Sequence, residues 1–121
     1  MTVIFNTFNK KIAKIHFRKG YSTKIVKVNT LNYFLKKFYN NKKKIDLLKI
    51  DVEGEELNVL KSINLSSYRP RLISIEIHNQ YSMYEDNSDY FKKNKIYKFL
   101  ISKKYKIVWR NKYSFIFKKK F

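Results

Sequence analysis

The chain has 121 residues, the size of one domain of about 100–150 residues. Lys and Arg number 28 against nine Asp and Glu, a net charge of +19, yet 44% of the residues are hydrophobic and twenty are Tyr or Phe. That content excludes a disordered basic tail and calls for a core. The absence of Cys excludes disulfides, thiolate metal sites and cysteine nucleophiles. Two distant glycines, Gly20 and Gly54, cannot build a glycine-rich phosphate or dinucleotide loop within this sequence.

In chain order, the first 28 residues read as strand-rich but irregular. They hold Val3-Ile-Phe5, a turn signal at Gly20, and an alternating Lys24-Ile-Val-Lys-Val28. From Leu31 the period changes: Leu31, Phe34, Leu35, Phe38 and Tyr39 form one apolar helix face, with Asn29 or Thr30 as N-cap. Ile45–Ile50 has the length and composition of a buried strand, ending in the turn Asp51-Val-Glu-Gly54. Residues 55–61 predict a short helix with acids in its first turn, where the macrodipole favours them. After Pro70, Arg71–His78 predicts a second strand with Ile73, Ile75 and Ile77 on one face. A polar acidic loop, Asn79–Asp89, leads to a helix over Asp89–Lys103 with Ile96, Phe99 and Leu100 along one side. Tyr105–Arg110, a two-residue turn and Tyr113–Phe117 predict a hairpin, with Trp109 and its aromatics in the core.

The strand–helix–strand unit in the middle predicts a right-handed crossover between parallel strands. The expected architecture is an α/β sheet with an antiparallel hairpin at its end. No segment approaches about 18 uninterrupted apolar residues and no signal peptide is expected, so a cytoplasmic protein is the default.

Twenty-four of the bases are Lys, and only Arg18, Arg69, Arg71 and Arg110 carry the fork that reads phosphate or guanine. Lys, Asn, Ile, Phe and Tyr make up 70 of the 121 residues, so the charge reads mainly as a compositional bias that fills solvated faces. Nucleic acid is therefore not the expected partner. A basic polyanion-binding module is the alternative that the charge keeps open. The run Lys118-Lys-Lys120 reads as solvated.

The acids are more informative, because all nine fall in two windows, 46–56 and 76–89. If the strands ending at Asp51 and at Glu76/His78 are neighbours, Asp51, Glu53, Glu76 and His78 share the rim where open α/β sheets bind ligands. Gly54 lets the backbone pass close to a ligand. Each has a plainer reading: Asp51 and Glu53 as helix caps, Gly54 as a turn residue, His78 as a surface histidine. A carboxylate at Glu76 and an ammonium at Lys49, both among apolar neighbours, predict a Lys49–Glu76 pair across the strands. The four rim residues are metal-ligand types, yet no dense ligand motif accompanies them and no metal is expected. His16 has no partner pattern.

The segment Ile45-Asp-Leu-Leu-Lys-Ile-Asp-Val-Glu-Gly-Glu-Glu-Leu-Asn-Val-Leu-Lys61 resembles the signature of the FkbM-type methyltransferases. Arg69-Pro-Arg-Leu-Ile-Ser-Ile-Glu-Ile-His78 is similar to that family's proline followed by a strand ending in Glu-Ile-His, and Val28-Asn-Thr-Leu-Asn32 resembles an upstream stretch that ends in an acid. The resemblance covers about residues 24–117. It implies a Rossmann-like class I fold and transfer of methyl from S-adenosylmethionine to hydroxyl oxygens of sugars or metabolites. It makes 45–51 the fourth strand, 72–77 the fifth and the hairpin the sixth and seventh. It assigns Asp51, between cofactor and acceptor, and His78 to orienting or deprotonating the acceptor. Glu53 and Glu76 stand with them, and Lys49 and Gly54 support. The family's glycine-rich loop and ribose-binding acid would lie before Met1. The expectation is thus an irregular segment 1–23 and a domain part 24–121, inactive without a missing N-terminal half, with a non-catalytic remnant as the other outcome.

Overall fold

The structure, a computed structural model, describes residues 11, 13, 14, 20, 22–39, 44–78 and 89–120. Four strands form one mixed sheet in the order β1 (Leu47–Ile50), β2 (Leu72–Glu76), β4 (Ser114–Lys119), β3 (Tyr105–Arg110). β1 and β2 are parallel, with Ile50 beside Ile75; β4 runs antiparallel to both β2 and β3. The crossover between parallel strands is present, and it is the one parallel pair among the described residues.

Helix α1 (Leu31–Phe38) starts at Thr30, whose hydroxyl accepts from the Tyr33 amide at 3.1 Å. Its first turn docks on the crossover: the Leu31 amide donates to Ser62 Oγ and the Asn32 amide to the Ser62 carbonyl, each at 3.0 Å. The crossover holds two short helices, α2 (Glu56–Lys61) and α3 (Leu65–Tyr68). The second has no apolar period to announce it. It forms because the Asn64 side chain caps the Ser66 and Ser67 amides, and it stops at Arg69, left-handed at φ 45°, before Pro70. A 3₁₀ turn (Tyr90–Lys93) precedes α4 (Lys95–Ser102), whose N-cap Asn94 accepts from the Ile96 amide at 2.8 Å.

The core lies on one face of the sheet. Ile50, Ile73, Ile75, Ile77, Phe115 and Phe117 point into it and meet Leu60, Leu65, Phe91, Ile96 and Leu100 from the helices. Period-2 alternation makes this possible: along β2 the odd positions are buried and the even ones half-exposed. Tyr105 seals the lower end, its hydroxyl donating to the Pro70 carbonyl at 2.7 Å.

Several expectations are corrected. Residues 22–30 form neither helix nor strand, and Ile25, Val26 and Val28 are exposed, because no strand among the described residues pairs with Lys24–Val28. The apolar face of α1 is covered only at its start: Leu31 and Leu35 are half-buried, whereas Phe34 and Phe38 are exposed and stack on each other. β1 is an edge strand among the described residues rather than a buried one, with Leu47 56% exposed. The hairpin connection spans Asn111–Tyr113, three residues rather than two. Trp109 leaves the core because a register shift between Ile107 and Trp109 pairs it with Ile116, on the opposite face from Phe117. Val3–Phe5, His16 and residues 79–88 of the acidic loop, including Glu85 and Asp86, lie outside the described residues.

Candidate functional site

The turn after β1 is built around a carboxylate. Glu56 is 5% exposed, and its Oε1 accepts from the amides of Val52 (3.3 Å) and Gly54 (3.2 Å), while Oε2 also accepts from Gly54 (3.1 Å). These are amides with no strand partner at the head of α2, so the carboxylate completes them as a charge-assisted cap. To aim the amides inward, Glu53 takes φ 51° and Gly54 φ 106° in succession. Asp51 and Glu53 do not cap α2: its N-cap position is Glu55, without a side-chain cap bond. Glu56 is the residue that sequence reasoning missed, since an acid in the first helical turn also reads as a dipole effect. Its spacing from Val52 and Gly54 was the available signal.

Asp51 therefore stands free of the cap at the carboxyl end of β1. It pairs with Lys49, Nζ–Oδ2 at 3.5 Å, with both side chains well exposed. Continuing the β1–β2 register by one step sets Asp51 beside Glu76, on strands about 4.8 Å apart. The expected Lys49–Glu76 pair does not form. Lys49 sits opposite Ser74 on an edge strand and reaches forward to Asp51, while Glu76 binds His78. Glu53 is half-buried and belongs to the turn rather than to the Glu76–His78 pair.

Glu76 and His78 form a dyad: His78 Nε2 lies 2.9 Å from Glu76 Oε2. An ionised carboxylate only accepts, so Nε2 donates and the lone pair falls on Nδ1. The imidazole stacks on Tyr113, centroids 5.1 Å apart and planes 30° from parallel. Tyr113 is itself pinned. Its carbonyl accepts from the Ile77 amide at 2.8 Å, and its amide donates to Asn111 Oδ1 at 3.0 Å. The Tyr90 hydroxyl donates to the carbonyls of Ile77 and Lys112, tying the hairpin connection to the end of β2. Burial of Tyr90 raises its phenol above the ordinary value, partly offset by Arg110, so it stays a donor.

The rim thus carries an exposed carboxylate at Asp51 and, one strand over, a carboxylate–imidazole pair whose histidine is exposed. Such an arrangement can orient a hydroxyl and accept its proton. Among the described residues no three His, Asp or Glu side chains gather as a metal site, and no helix is long and apolar enough to cross a membrane.

A family model described as a methyltransferase FkbM domain matches residues 4–107. No curated protein and no solved structure gives a match. The matched span takes in β1, the turn braced by Glu56, β2 and the Glu76–His78 dyad, and by that match the chain belongs to the FkbM methyltransferase family.

Proposed function

We propose that residues 24–121 form the acceptor side of an S-adenosylmethionine-dependent O-methyltransferase, acting on hydroxyl groups of sugars or metabolites. The observation that carries this reading is the placement of Asp51 and the Glu76–His78 dyad at the carboxyl ends of adjacent parallel strands. Asp51 accepts a hydrogen bond from the acceptor and holds its hydroxyl in line. His78 Nδ1 takes the acceptor's hydroxyl proton, and Glu76 stabilises the resulting imidazolium across the 2.9 Å contact. Glu53, Lys49 and Gly54 are supporting groups: Lys49 steadies Asp51, and Gly54 gives the turn its shape.

S-adenosylmethionine supplies the activated methyl group in this chemistry. Of the groups that would hold it, these residues offer the rim carboxylate Asp51 and no glycine-rich turn, so their fit is to the acceptor rather than to the cofactor. The outer edge of β1 has no strand partner among the described residues, and a cofactor-binding half would extend the sheet there.

The test is methyl transfer from labelled S-adenosylmethionine to a panel of sugars, by the chain alone and by a chimera with a family member's cofactor-binding half. The chimera transfers methyl and the isolated chain does not. Asp51→Asn and His78→Gln each lower the chimera's turnover by at least about a hundredfold, the usual weight of acid–base groups. Unchanged turnover in both variants would remove the rim from the mechanism.

A further inference from the structure

The core covers one face of the sheet; the other face carries an indole beside a pair of lysines. Tyr105, Phe115 and Phe117 are buried on the core side, so their strand neighbours Lys106, Ile116 and Lys118 project from the outer side. Across the β3–β4 register Lys106 stands opposite Lys118, and Trp109 stands opposite Ile116. The register shift between Ile107 and Trp109 turns the indole to this side, where it is 51% exposed. Leu72 and Ser74 of β2, beside Lys118 and Ile116, continue the same face.

Directly opposed side chains lie about 5 Å apart at Cβ, so Lys106 and Lys118 are like charges whose proximity destabilises the sheet. The indole lies one two-residue step along the strands from them, about 7 Å away. A solvated basic face accounts for the lysines. It does not account for the chain's one tryptophan, a residue that is ordinarily well buried, turned out of the core by a shift in register. Lysines alone do not single out nucleic acid; an exposed ring next to them supplies the stacking surface that composition lacks.

We propose that the outer face of β3 and β4 binds single-stranded nucleic acid, one base stacking on Trp109 and an adjoining phosphate lying against Lys106 and Lys118. The indole needs an unstacked base, which a duplex withholds, and an open sheet face does not enclose a free nucleotide. A strand repeats both contacts along its length and is drawn in by the net charge of +19. The face is also separate from the methyl-transfer reading. β3 and β4 lie at the end of the sheet away from β1, and Lys118 pairs with Leu72 at the start of β2, whereas the rim is at its end.

Because Trp109 is the one tryptophan, its fluorescence reports the contact directly. Oligo(dT) and oligo(rU) of about twelve nucleotides, titrated into the full chain at about 0.15 M salt, quench it saturably, and the tighter of the two identifies DNA or RNA as the source. Trp109→Ala weakens binding of end-labelled oligonucleotide by at least about fivefold, and Trp109→Tyr by less, since a ring remains. Lys106→Gln/Lys118→Gln lowers the slope of log affinity against log salt by about 1.4, the share of two phosphates, while its Tm holds or rises because the opposed charges are gone. Lys36→Gln/Lys37→Gln on α1 removes the same net charge and keeps both the quenching and, within about twofold, the affinity. Three results would each overturn the proposal: no saturable quenching of Trp109, equal losses from the two lysine pairs, or duplex DNA or phosphatidylglycerol vesicles binding at least as tightly as the single strand.

Discussion

Tyr113 stacks on His78 with centroids 5.1 Å apart, and the same tyrosine's carbonyl accepts from the amide of Ile77, the residue that precedes His78. The hairpin connection therefore fixes both the backbone and the ring of the histidine that faces the rim. A ring lying over an imidazole shields its protons, so Tyr113→Leu moves the His78 carbon-bound proton resonances downfield, whereas Tyr113→Phe leaves them near the wild-type position. The chain has two histidines, so a His78→Gln spectrum assigns the signals. Equal spectra for wild type and Tyr113→Leu would show that the two rings do not stack in solution.

Glu56 makes a stability prediction. Its buried carboxylate accepts from two amides that have no other partner in the turn. Glu56→Ala leaves both unsatisfied and costs about 2–4 kcal/mol, each lost charge-assisted bond being worth about 1.5–3. Glu56→Gln keeps one acceptor oxygen but points an amide donor at a donor, so it recovers part of that loss. Urea unfolding at neutral pH measures both, and a cost below about 0.5 kcal/mol for Glu56→Ala would separate Glu56 from the turn.

Gly54→Ala probes the same turn from the backbone. At φ 106° a side chain is strained, and the substitution destabilises by about 1–3 kcal/mol. Its cost and that of Glu56→Ala combine non-additively, since either change alone opens the turn. Simple addition in the double variant would contradict a shared structural unit.

The elements readable in advance were those whose local pattern agrees with their final neighbours. Ile73, Ile75 and Ile77 alternate in sequence and are buried together, and Phe115 and Phe117 do the same on β4. Lys24–Val28 alternates as well, yet alternation is only a licence to pair, and no strand among the described residues stands beside it. Trp109 follows Ile107 at strand spacing but ends on the other face, because a one-residue shift inverts every side chain beyond it. The rim residues were legible by type and strand position. The Glu76–His78 contact, the Tyr113 stack and the Glu56 cap depend on side-chain directions that spacing does not encode.

Tyr105 sets an alkaline limit on the fold. It is 1% exposed with its hydroxyl bonded to the Pro70 carbonyl, and burial pushes its phenol from 10.0 up to about 12, against a smaller opposing pull from Arg69. The folded state holds this proton more tightly than the unfolded state. Its contribution to stability is fully present below pH 10 and is lost as pH rises from 10 through about 12. A two-unit shift corresponds to about 3 kcal/mol, a substantial share of a small domain's stability. Lys119, over the same ring, acts in the opposite sense, because its lowered value makes stability rise with pH below 10.5. Above pH 10 the Tyr105 contribution is the one that falls. In a spectrophotometric titration Tyr105 ionises together with unfolding. Tyr105→Phe removes the loss above pH 10, and costs about 1 kcal/mol at neutral pH by leaving the Pro70 carbonyl without its donor. A Tyr105→Phe chain whose stability still falls between pH 10 and 12 as steeply as wild type would assign the alkaline limit to another group.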